Sequence, residues 1–505
     1  NVVGVILADG WYAGRIGMIG DSAQFGDKLG VLLQVEVDYE DGSHDVIGSD
    51  ASFVSSTRDI LYSDLYIGEK QDLRLRDDKW CMSGFQAEGW KPVELVEYGY
   101  ENLAAQAGEP IRVVDELEAV RVIRTPKGET VIDFGQVVAG RIRLEAEGLA
   151  GTAITLEHGE VLDKDGNFLN NIIGRNKDQK DVFLLRGEGK ETLEPRFTFH
   201  GFRYVKVTGY PGNLQKEAAK AVVLSSDMKK TGEFTCSDER VNRLQKNIFH
   251  SQQGNMISIP TDCPQRERAG WTGDIQIFAP TACYNMGMYL FKRRWLRNAR
   301  AEQYENGGIP NIIPFIPSYN PFGNGEQMAA SAGWGDAITI VPWVLYQKYG
   351  DEEVLRENYQ AMKKWVEYIR DCIKRECEAE CGAGEYNVRG CDTNATEVEC
   401  GAETTSENPE AAKRRKYLWK KGQNLGDWLI PSVVADASVE NMLKCSYLTQ
   451  ECISTCFYAY SASILSKAAK VLGEDKDEAC YFELAGKVRK AFSDEYVKED
   501  GNLGD

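Results

Sequence analysis

The feature that most constrains the fold is a change in hydrophobic period near residue 235 of this 505-residue chain. Before it, short apolar runs alternate with polar residues between Gly-rich turns, and residues 33–39 show the strictest alternation. A period of two is typical of half-buried strands. After it, apolar residues recur every three or four positions, most clearly over 351–369, as in an amphipathic helix. The pattern predicts an all-β N-terminal part followed by an all-α C-terminal part.

A chain of this length predicts several domains. We expect two β-sandwich domains at 1–112 and 113–228 and a helical domain at 229–505. Within the helical domain, residues 377–416 contain few large apolar side chains, which predicts an inserted loop. The predicted strands are a hairpin at 33–47 and short runs at 131–134, 142–144, 154–157, 181–185 and 204–207. The predicted helices cover 351–369, 453–471 and 481–492.

Both ends of the chain carry patterns of their own. The apolar run at 2–7 predicts a further strand rather than a signal peptide, because no basic segment precedes it and no small-residue cleavage site follows it. Residues 500–505 are typical of a connector. We therefore expect a chain that is cut at both ends.

Composition and charge exclude several classes of function. The net charge of −19 and the pI of about 4.9 would repel a polyanion, so no nucleic-acid partner is expected. No stretch is long and apolar enough to predict a membrane span. The 13 cysteines form no secreted-type framework and no CxxC pair, which favours reduced thiols and a cytoplasmic protein. No metal site is predicted for the five clustered cysteines, which are Cys372, Cys377, Cys381, Cys391 and Cys400.

Residues 262–274 are the strongest candidate for a functional site. The segment Asp-Cys-Pro-Gln-Arg-Glu-Arg-Ala-Gly-Trp-Thr-Gly-Asp holds three carboxylates, two arginines and a tryptophan, and its Pro and Gly residues predict an irregular loop without helix. Two carboxyl groups beside an aromatic platform are the minimal equipment for cleaving a glycoside. Mutual repulsion raises at least one carboxyl pKa toward the value that a general acid needs, provided that at least one arginine faces elsewhere.

This segment also has a purely structural interpretation. A salt-bridged loop could cap the helix that follows, with Asp274 placed favourably in the first helical turn. Composition alone leaves the two interpretations open, although Glu267 is the natural candidate for a general acid if the loop is catalytic.

Two further segments place a tryptophan beside an aspartate and favour a sugar site. They are Gly333-Trp334-Gly335-Asp336 and Gly426-Asp427-Trp428-Leu429. An indole face can cover the apolar side of a pyranose while a carboxylate binds its hydroxyls. Core packing is the alternative for either pair. His200 and His250 lie in no metal-binding or triad spacing and are expected to be structural.

Together these motifs resemble the bacterial α-L-rhamnosidases of glycoside hydrolase family 78. The resemblance extends over essentially the whole chain, through Ala8-Asp9-Gly10-Trp11-Tyr12, Asp133-Phe134-Gly135-Gln136, Phe199-His200-Gly201-Phe202-Arg203-Tyr204 and Phe278-Ala279-Pro280-Thr281-Ala282. It implies β-sandwich domains followed by an (α/α)6 toroid, and inverting hydrolysis of terminal α-L-rhamnose. The implied partners are L-rhamnose-containing glycosides, no cofactor is implied, and a structural calcium ion stays open.

The resemblance also implies roles for individual residues. Glu267 would be the general acid, although the family's Asp-Glu-Arg is here Glu-Arg, one residue shorter, so that Glu267 is aligned by its place before the arginine. The other implied substrate-binding residues are Asp262, Arg266, Trp271, Asp274, Trp334, Asp336, Asp427 and Trp428.

An inverting enzyme also needs a second carboxylate as general base. By the resemblance that base lies late in the toroid, so we expect it outside this chain and expect the toroid to be incomplete at residue 505. The apolar helix faces that an incomplete toroid leaves exposed could then support a homo-oligomer. The alternative is a catalytically silent carbohydrate-binding or scaffold protein that lacks the base.

Overall fold

A computed structural model describes residues 2–17, 21–101, 103–172, 174–316, 330–381, 409–422, 424–433 and 438–503. The chain divides into two compact units. The first contains Asn1–Asp227, Cys236–Ser258 and Asp262–Ala269. The second contains Met228–Thr235, Ile259–Thr261 and Gly270–Asp505. The loop that carries Glu267 therefore belongs to the first unit, although most of its neighbours in sequence belong to the second.

The first unit is rich in β-structure, as predicted. Its strands are β1 Gln34–Asp38, β2 His44–Gly48, β3 Val54–Ser55, β4 Ile60–Asp64, β5 Gly68–Asp72, β6 Lys91–Pro92, β7 Ile111–Glu118, β8 Arg121–Arg124, β9 Thr130–Glu147, β10 Ala153–Gly159, β11 Lys180–Leu184, β12 Lys190–Leu193, β13 His200–Thr208, β14 Ala219–Ser226 and β15 Met256–Ile257. Short helical segments are α1 Gly10–Ala13 and the 3-10 turns Leu73–Leu75, Gly174–Asp178 and Lys216–Ala218. A longer helix, α2, covers Glu239–Gly254.

Ten of these strands form one sheet, in the order β4-β5-β11-β10-β13-β9-β14-β7, with β8 and β12 also paired to β9. The predicted hairpin is confirmed as the antiparallel ribbon β1–β2. Strand β9 pairs along its length with β8, β13, β14 and β12, so the runs predicted separately at 131–134 and 142–144 are one strand. Its alternate side chains, including Ile132 and Ile142, lie in the main apolar core with Phe202.

One sheet contains strands from both sides of the predicted domain boundary at 112/113. Strand β7 crosses that position, and β5 pairs in parallel with β11, where Lys70 lies opposite Val182. Strands from both predicted domains therefore share one sheet.

The strand predicted at 2–7 is wrong, because these residues are irregular and mostly exposed. A run of apolar residues becomes a strand only when a neighbouring edge pairs with its backbone.

The second unit contains the strand β16 Ile259–Pro260 and the helices α3 Thr272–Asn285, α4 Tyr289–Glu302, α5 Ala337–Tyr349, α6 Glu353–Cys381, α7 Pro409–Arg415, α8 Val439–Leu472 and α9 Asp475–Tyr496. Helices α6, α8 and α9 confirm the three predicted helices. Helix α8 ends at Gly473, whose φ of 75° is the left-handed conformation that glycine adopts at low cost.

The loop predicted at 377–416 is wrong at both edges, because α6 continues to Cys381 and α7 covers 409–415. The remainder of that loop, with Cys391 and Cys400, lies outside the described residues. Nine described cysteines are free thiols, but Cys480 is disulfide-bonded, so the expectation of reduced thiols is wrong for Cys480. Among the described helices, none has the length and apolar content needed to cross a membrane.

Candidate functional site

The segment Asp262–Ala269 is an irregular loop closed by two hydrogen bonds between its ends. The backbone N–H of Asp262 donates to the carbonyl of Ala269 at 3.1 Å, and the N–H of Ala269 donates to Oδ1 of Asp262 at 3.0 Å. The prediction of an irregular stretch through Asp274 is wrong for its last three residues, because α3 begins at Thr272. Asp274 lies exposed in the first turn of α3, as the structural interpretation of the segment required.

Glu267 forms an ion pair with its neighbour in the loop. Nη2 of Arg266 donates to Oε1 of Glu267 at 3.0 Å, and the Glu267 side chain is 14% exposed whereas that of Arg266 is 49% exposed. The Glu267 N–H donates to Sγ of Cys263 at 3.3 Å. Burial, with a smaller effect from the charge of Asp262, raises the pKa of the Cys263 thiol to about 12. Cys263 is therefore a protonated packing residue rather than a nucleophile.

Arg268 faces away from Glu267, which satisfies the condition that at least one arginine should do so. Its side chain is buried, and its guanidinium donates to the backbone carbonyls of Leu65, Tyr66 and Phe199. The two arginines of the loop therefore have different surroundings. Arg266 is exposed beside the carboxylate, and Arg268 extends into the interior of the first unit.

Glu160 is a carboxylate near this loop that no sequence pattern indicated. Burial raises the pKa of Glu160, and the charge of Arg266 acts in the opposite direction. The sequence offers no local signal for this neighbour, because Glu160 follows a strand far from the loop along the chain and only the sheet brings it close.

Three neighbouring strands place His158, Asp181 and His200 together beneath the loop. All three are buried, and their metal-binding atoms lie within 4.8 Å of one another. The two imidazole rings stack with centroids 3.8 Å apart, and Nε2 of His200 lies 3.2 Å from both Asp181 oxygens. His200 thus has the structural surroundings that were expected for it.

The positive charge of Arg268 acts on this cluster and disfavours a further cation there. Burial lowers the pKa of both imidazoles well below the usual value, and the positive charge of Arg268 lowers it further. The same charge would repel a metal ion. Burial raises the pKa of Asp181 to about 6. We therefore assign no metal to these residues.

In the second unit, Trp271 and Trp334 lie near the beginning of α3. Trp271 is the residue before its first turn and is partly exposed. A Cβ atom at Gly273 would lie 2.9 Å from Cε2 of Trp334, so the indole packs directly on the helix backbone at that glycine. Trp334 is partly exposed, and its Nε1 is buried with no hydrogen-bond partner in the described part of the chain.

Asp336 and Asp427 have opposite surroundings. Asp336 is fully buried, and its carboxylate accepts hydrogen bonds from the Gly333 N–H at 2.8 Å, from Nε1 of Trp365 at 2.9 Å, and from the Ser461 hydroxyl. Burial raises the pKa of Asp336, although these donors lower it in part.

The segment that contains Asp427 and Trp428 is exposed instead. Its backbone is held by the Asp427 N–H, which donates to Oγ1 of Thr449 at 2.8 Å, and Trp428 is 40% exposed. The predicted site residues are therefore divided between the units. Asp262, Arg266 and Glu267 come together in the first, and Trp271, Asp274, Trp334, Asp336, Asp427 and Trp428 belong to the second.

Models of three protein-family domains match the chain from one end to the other. The model of the bacterial α-L-rhamnosidase six-hairpin glycosidase domain matches residues 229–397 and 402–505. The concanavalin-like domain model of the same enzymes matches residues 123–225, and their N-terminal domain model matches residues 1–115.

Individual relatives agree with these models. An α-L-rhamnosidase of Streptomyces avermitilis is 35% identical over 505 residues, which are 100% of this chain and 42% of that protein. One from Formosa agariphila is 32% identical over 503 residues, covering 99% of this chain and 48% of that protein. This chain therefore spans less than half the length of these curated relatives.

Solved structures show the same relation. The Streptomyces avermitilis α-L-rhamnosidase complexed with L-rhamnose has a TM-score of 0.79 and 34% identity, covering 98% of this chain and 42% of that chain. The α-L-rhamnosidase of Aspergillus terreus has a TM-score of 0.81 and 34% identity, covering 98% of this chain and 52% of that one. The glycosidase-domain model alone matches more than half of the residues of this chain. The chain therefore belongs to the bacterial α-L-rhamnosidases of glycoside hydrolase family 78.

Proposed function

We propose that this chain carries the general acid and the sugar-binding residues of an inverting α-L-rhamnosidase that releases terminal L-rhamnose from glycosides. The observation that carries the proposal is the 98% coverage of this chain by a relative solved with L-rhamnose bound. The loop with Asp262, Arg266 and Glu267 supports it, because it combines an acid, a second carboxylate and a cation. The helical unit is proposed to be part of an (α/α)6 toroid.

Glu267 is the proposed general acid, which protonates the glycosidic oxygen as the bond to the leaving group breaks. Nη2 of Arg266 occupies Oε1 of Glu267, so this contact must open if that oxygen is to reach the glycosidic oxygen. We propose that the hydroxyls of bound rhamnose recruit Arg266 and release Glu267. An inverting mechanism also requires a base about 6.5–9.5 Å from the acid, and we assign that base to no residue of this chain.

The remaining residues are proposed to bind the sugar. Asp262 and Asp274 would accept hydrogen bonds from its hydroxyls, while Trp271, Trp334 and Trp428 would cover its apolar faces and Asp427 would contribute at the edge. Asp336 is proposed to act indirectly. Its buried carboxylate accepts the Gly333 N–H and so orients the turn that presents Trp334.

The test is the hydrolysis of 4-nitrophenyl glycosides by the protein expressed from its complete reading frame. The parent should cleave the α-L-rhamnoside and leave the α-L-fucoside and α-D-mannoside intact. Glu267→Gln should lower kcat by about 100-fold or more, because general acid catalysis contributes on the order of 10²–10⁴-fold. Glu353→Gln removes a carboxylate from an exposed arginine pair and should leave kcat unchanged. An inactive parent, or an active Glu267→Gln variant, would overturn the proposal.

A further inference from the structure

The side chain of Arg268 connects the loop that carries Glu267 to the β-sheet of the first unit. We propose that Arg268 is a positioning residue that fixes the general acid by anchoring the backbone immediately after it. This inference rests on the proposed function. It assigns Arg268 no contact with the substrate.

The anchor consists of hydrogen bonds to backbone carbonyls that adjoin strands of the sheet. Nη1 of Arg268 donates to the carbonyls of Leu65 at 2.6 Å and Phe199 at 2.5 Å, and Nη2 donates to the carbonyl of Tyr66 at 2.9 Å. In return, the Tyr66 hydroxyl donates to the carbonyl of Arg268 at 2.8 Å. Leu65 and Tyr66 follow β4, and Phe199 precedes β13, so one guanidinium joins two separate parts of the unit.

Aromatic rings and burial hold the guanidinium in one position. Its Cζ atom lies 4.4 Å from the ring centroid of Tyr66 and 5.1 Å from that of Phe199, and the residue is 1% exposed. Such cation–π contacts strengthen when they are removed from water. A flat guanidinium with several fixed donors suits this site better than the single ammonium of lysine does.

The buried positive charge of Arg268 is offset in part by carboxylates that it does not contact directly. No carboxylate of the described residues lies in an ion pair with Arg268, and burial lowers its pKa, while the charges of Asp64 and Asp181 act against that shift. A buried cation without an adjacent anion is unfavourable, so an arginine at this position calls for a role that an apolar side chain could not fill. Binding three carbonyl oxygens is such a role.

The backbone of Arg268 is strained, and the anchor holds it there. Its φ is 45°, in the left-handed region that residues other than glycine rarely adopt. Because Glu267 is the preceding residue, relaxation at Arg268 would redirect the Glu267 side chain. Strained backbone of this kind is often found at functional sites, held in place by its surroundings.

The other end of the loop is held against the same sheet. A Cβ atom at Gly201 would lie 2.5 Å from the carbonyl carbon of Pro264, so only glycine allows the loop to approach so closely. Nε2 of Gln179 also donates to the carbonyl of Gln265 at 3.2 Å. With both ends attached, Glu267 and Arg266 lie on a short segment between fixed points.

Positioning matters because proton transfer is sensitive to distance. A general acid must reach the leaving oxygen within about 2.6–3.2 Å, and a displacement of about 1 Å can cost on the order of 100-fold in rate. Leaving groups of low pKa need little protonation, whereas alkoxide leaving groups depend on it. A misplaced acid should therefore slow alkyl rhamnosides far more than nitrophenyl rhamnosides.

The test compares Arg268→Lys with the parent on methyl and 4-nitrophenyl α-L-rhamnosides, using the protein from its complete reading frame. We expect kcat to fall about 100-fold on the methyl glycoside and less than about 10-fold on the nitrophenyl glycoside. Amide hydrogen exchange of Ala269, whose N–H bonds to Asp262, should become faster. Arg203→Lys is the control, since Arg203 pairs with Asp133 in the same sheet, and it should change neither measurement.

Each outcome has a distinct meaning. An equal loss on both substrates, or unchanged exchange at Ala269, would overturn the positioning role. If Arg268→Lys does not fold, Tyr66→Phe replaces it, since that change removes the hydroxyl that donates to the Arg268 carbonyl. A selective loss on the methyl glycoside supports the inference and an equal loss overturns it. An inactive parent refutes the proposed function instead, and hydrogen exchange still decides whether Arg268 anchors the loop.

Discussion

At the scale of single residues, similar sequence motifs lead to different environments. Asp336 and Asp427 each stand beside a tryptophan in a Gly-rich segment, and the sequence suggested the same sugar-binding role for both. In the structure Asp336 is fully buried and accepts three hydrogen bonds, whereas Asp427 is exposed. The difference depends on Trp365 and Ser461, which come from α6 and α8 and are distant in sequence.

This contrast gives a prediction about stability. Asp336→Ala should lower the free energy of unfolding by about 3 kcal/mol, because three buried donors lose their acceptor. Asp427→Ala should change it by less than about 0.5 kcal/mol, since its side chain is exposed. Urea unfolding of both variants, followed by tryptophan fluorescence, measures the difference. Equal effects would mean that the hydrogen bonds of Asp336 contribute little.

At the scale of elements, the sequence located individual helices and strands but not the pairing of distant strands. The 3.6-residue period identified α6, α8 and α9, because a helix satisfies its backbone hydrogen bonds locally and its apolar face follows from spacing alone. Strand β9 was divided into two, and the parallel pairing of β5 with β11 was not expected. The pairing of β5 with β11 joins segments far apart in sequence, so no local pattern specifies it.

Helix α9 offers a test at this scale. Gly486 lies within α9, and a Cβ atom there would meet nothing within 4 Å. Gly486→Ala should therefore raise the free energy of unfolding by about 0.5–1 kcal/mol, because alanine loses less backbone entropy in a helix. Gly473→Ala is the matched control. It places alanine at a φ of 75° and should destabilise the protein by about 1 kcal/mol. Thermal unfolding of both variants tests this, and a destabilised Gly486→Ala would contradict it.

At the scale of the whole molecule, the His158, Asp181 and His200 cluster makes folding sensitive to pH. Both imidazoles have pKa values well below those of the unfolded chain, so their contribution to stability is lost as the pH falls through about 6.5. Asp181 has a pKa raised to about 6 and acts in the opposite direction, because the folded state binds its proton first. The two imidazoles together change the free energy of unfolding by more than the one carboxyl group does, so acidification should destabilise the fold.

The expected slope follows from counting protons. Between about pH 6 and 5 the unfolded state should bind about one more proton than the folded state, so the free energy of unfolding should fall by about 1.4 kcal/mol per pH unit on acidification. His158→Phe removes one imidazole. It should leave this cluster's contribution to the free energy of unfolding nearly independent of pH. Phe202→Leu alters a ring packed against His158 without removing a titrating group, and it should keep the slope. Urea unfolding at pH 5 and 6 checks this, and an unchanged slope in His158→Phe would refute it.

The sequence by itself determined the order of β-rich and helical parts, the family, and the loop that carries the candidate acid. These follow from periodicity and from residue types at fixed spacing, which are local properties. Only the tertiary structure decided that this loop belongs to the first unit, that Arg268 is buried while Arg266 is exposed, and that Asp336 is enclosed. Burial and hydrogen-bond partners depend on which distant segments come together, so residues of the same type that are close in sequence can have opposite surroundings.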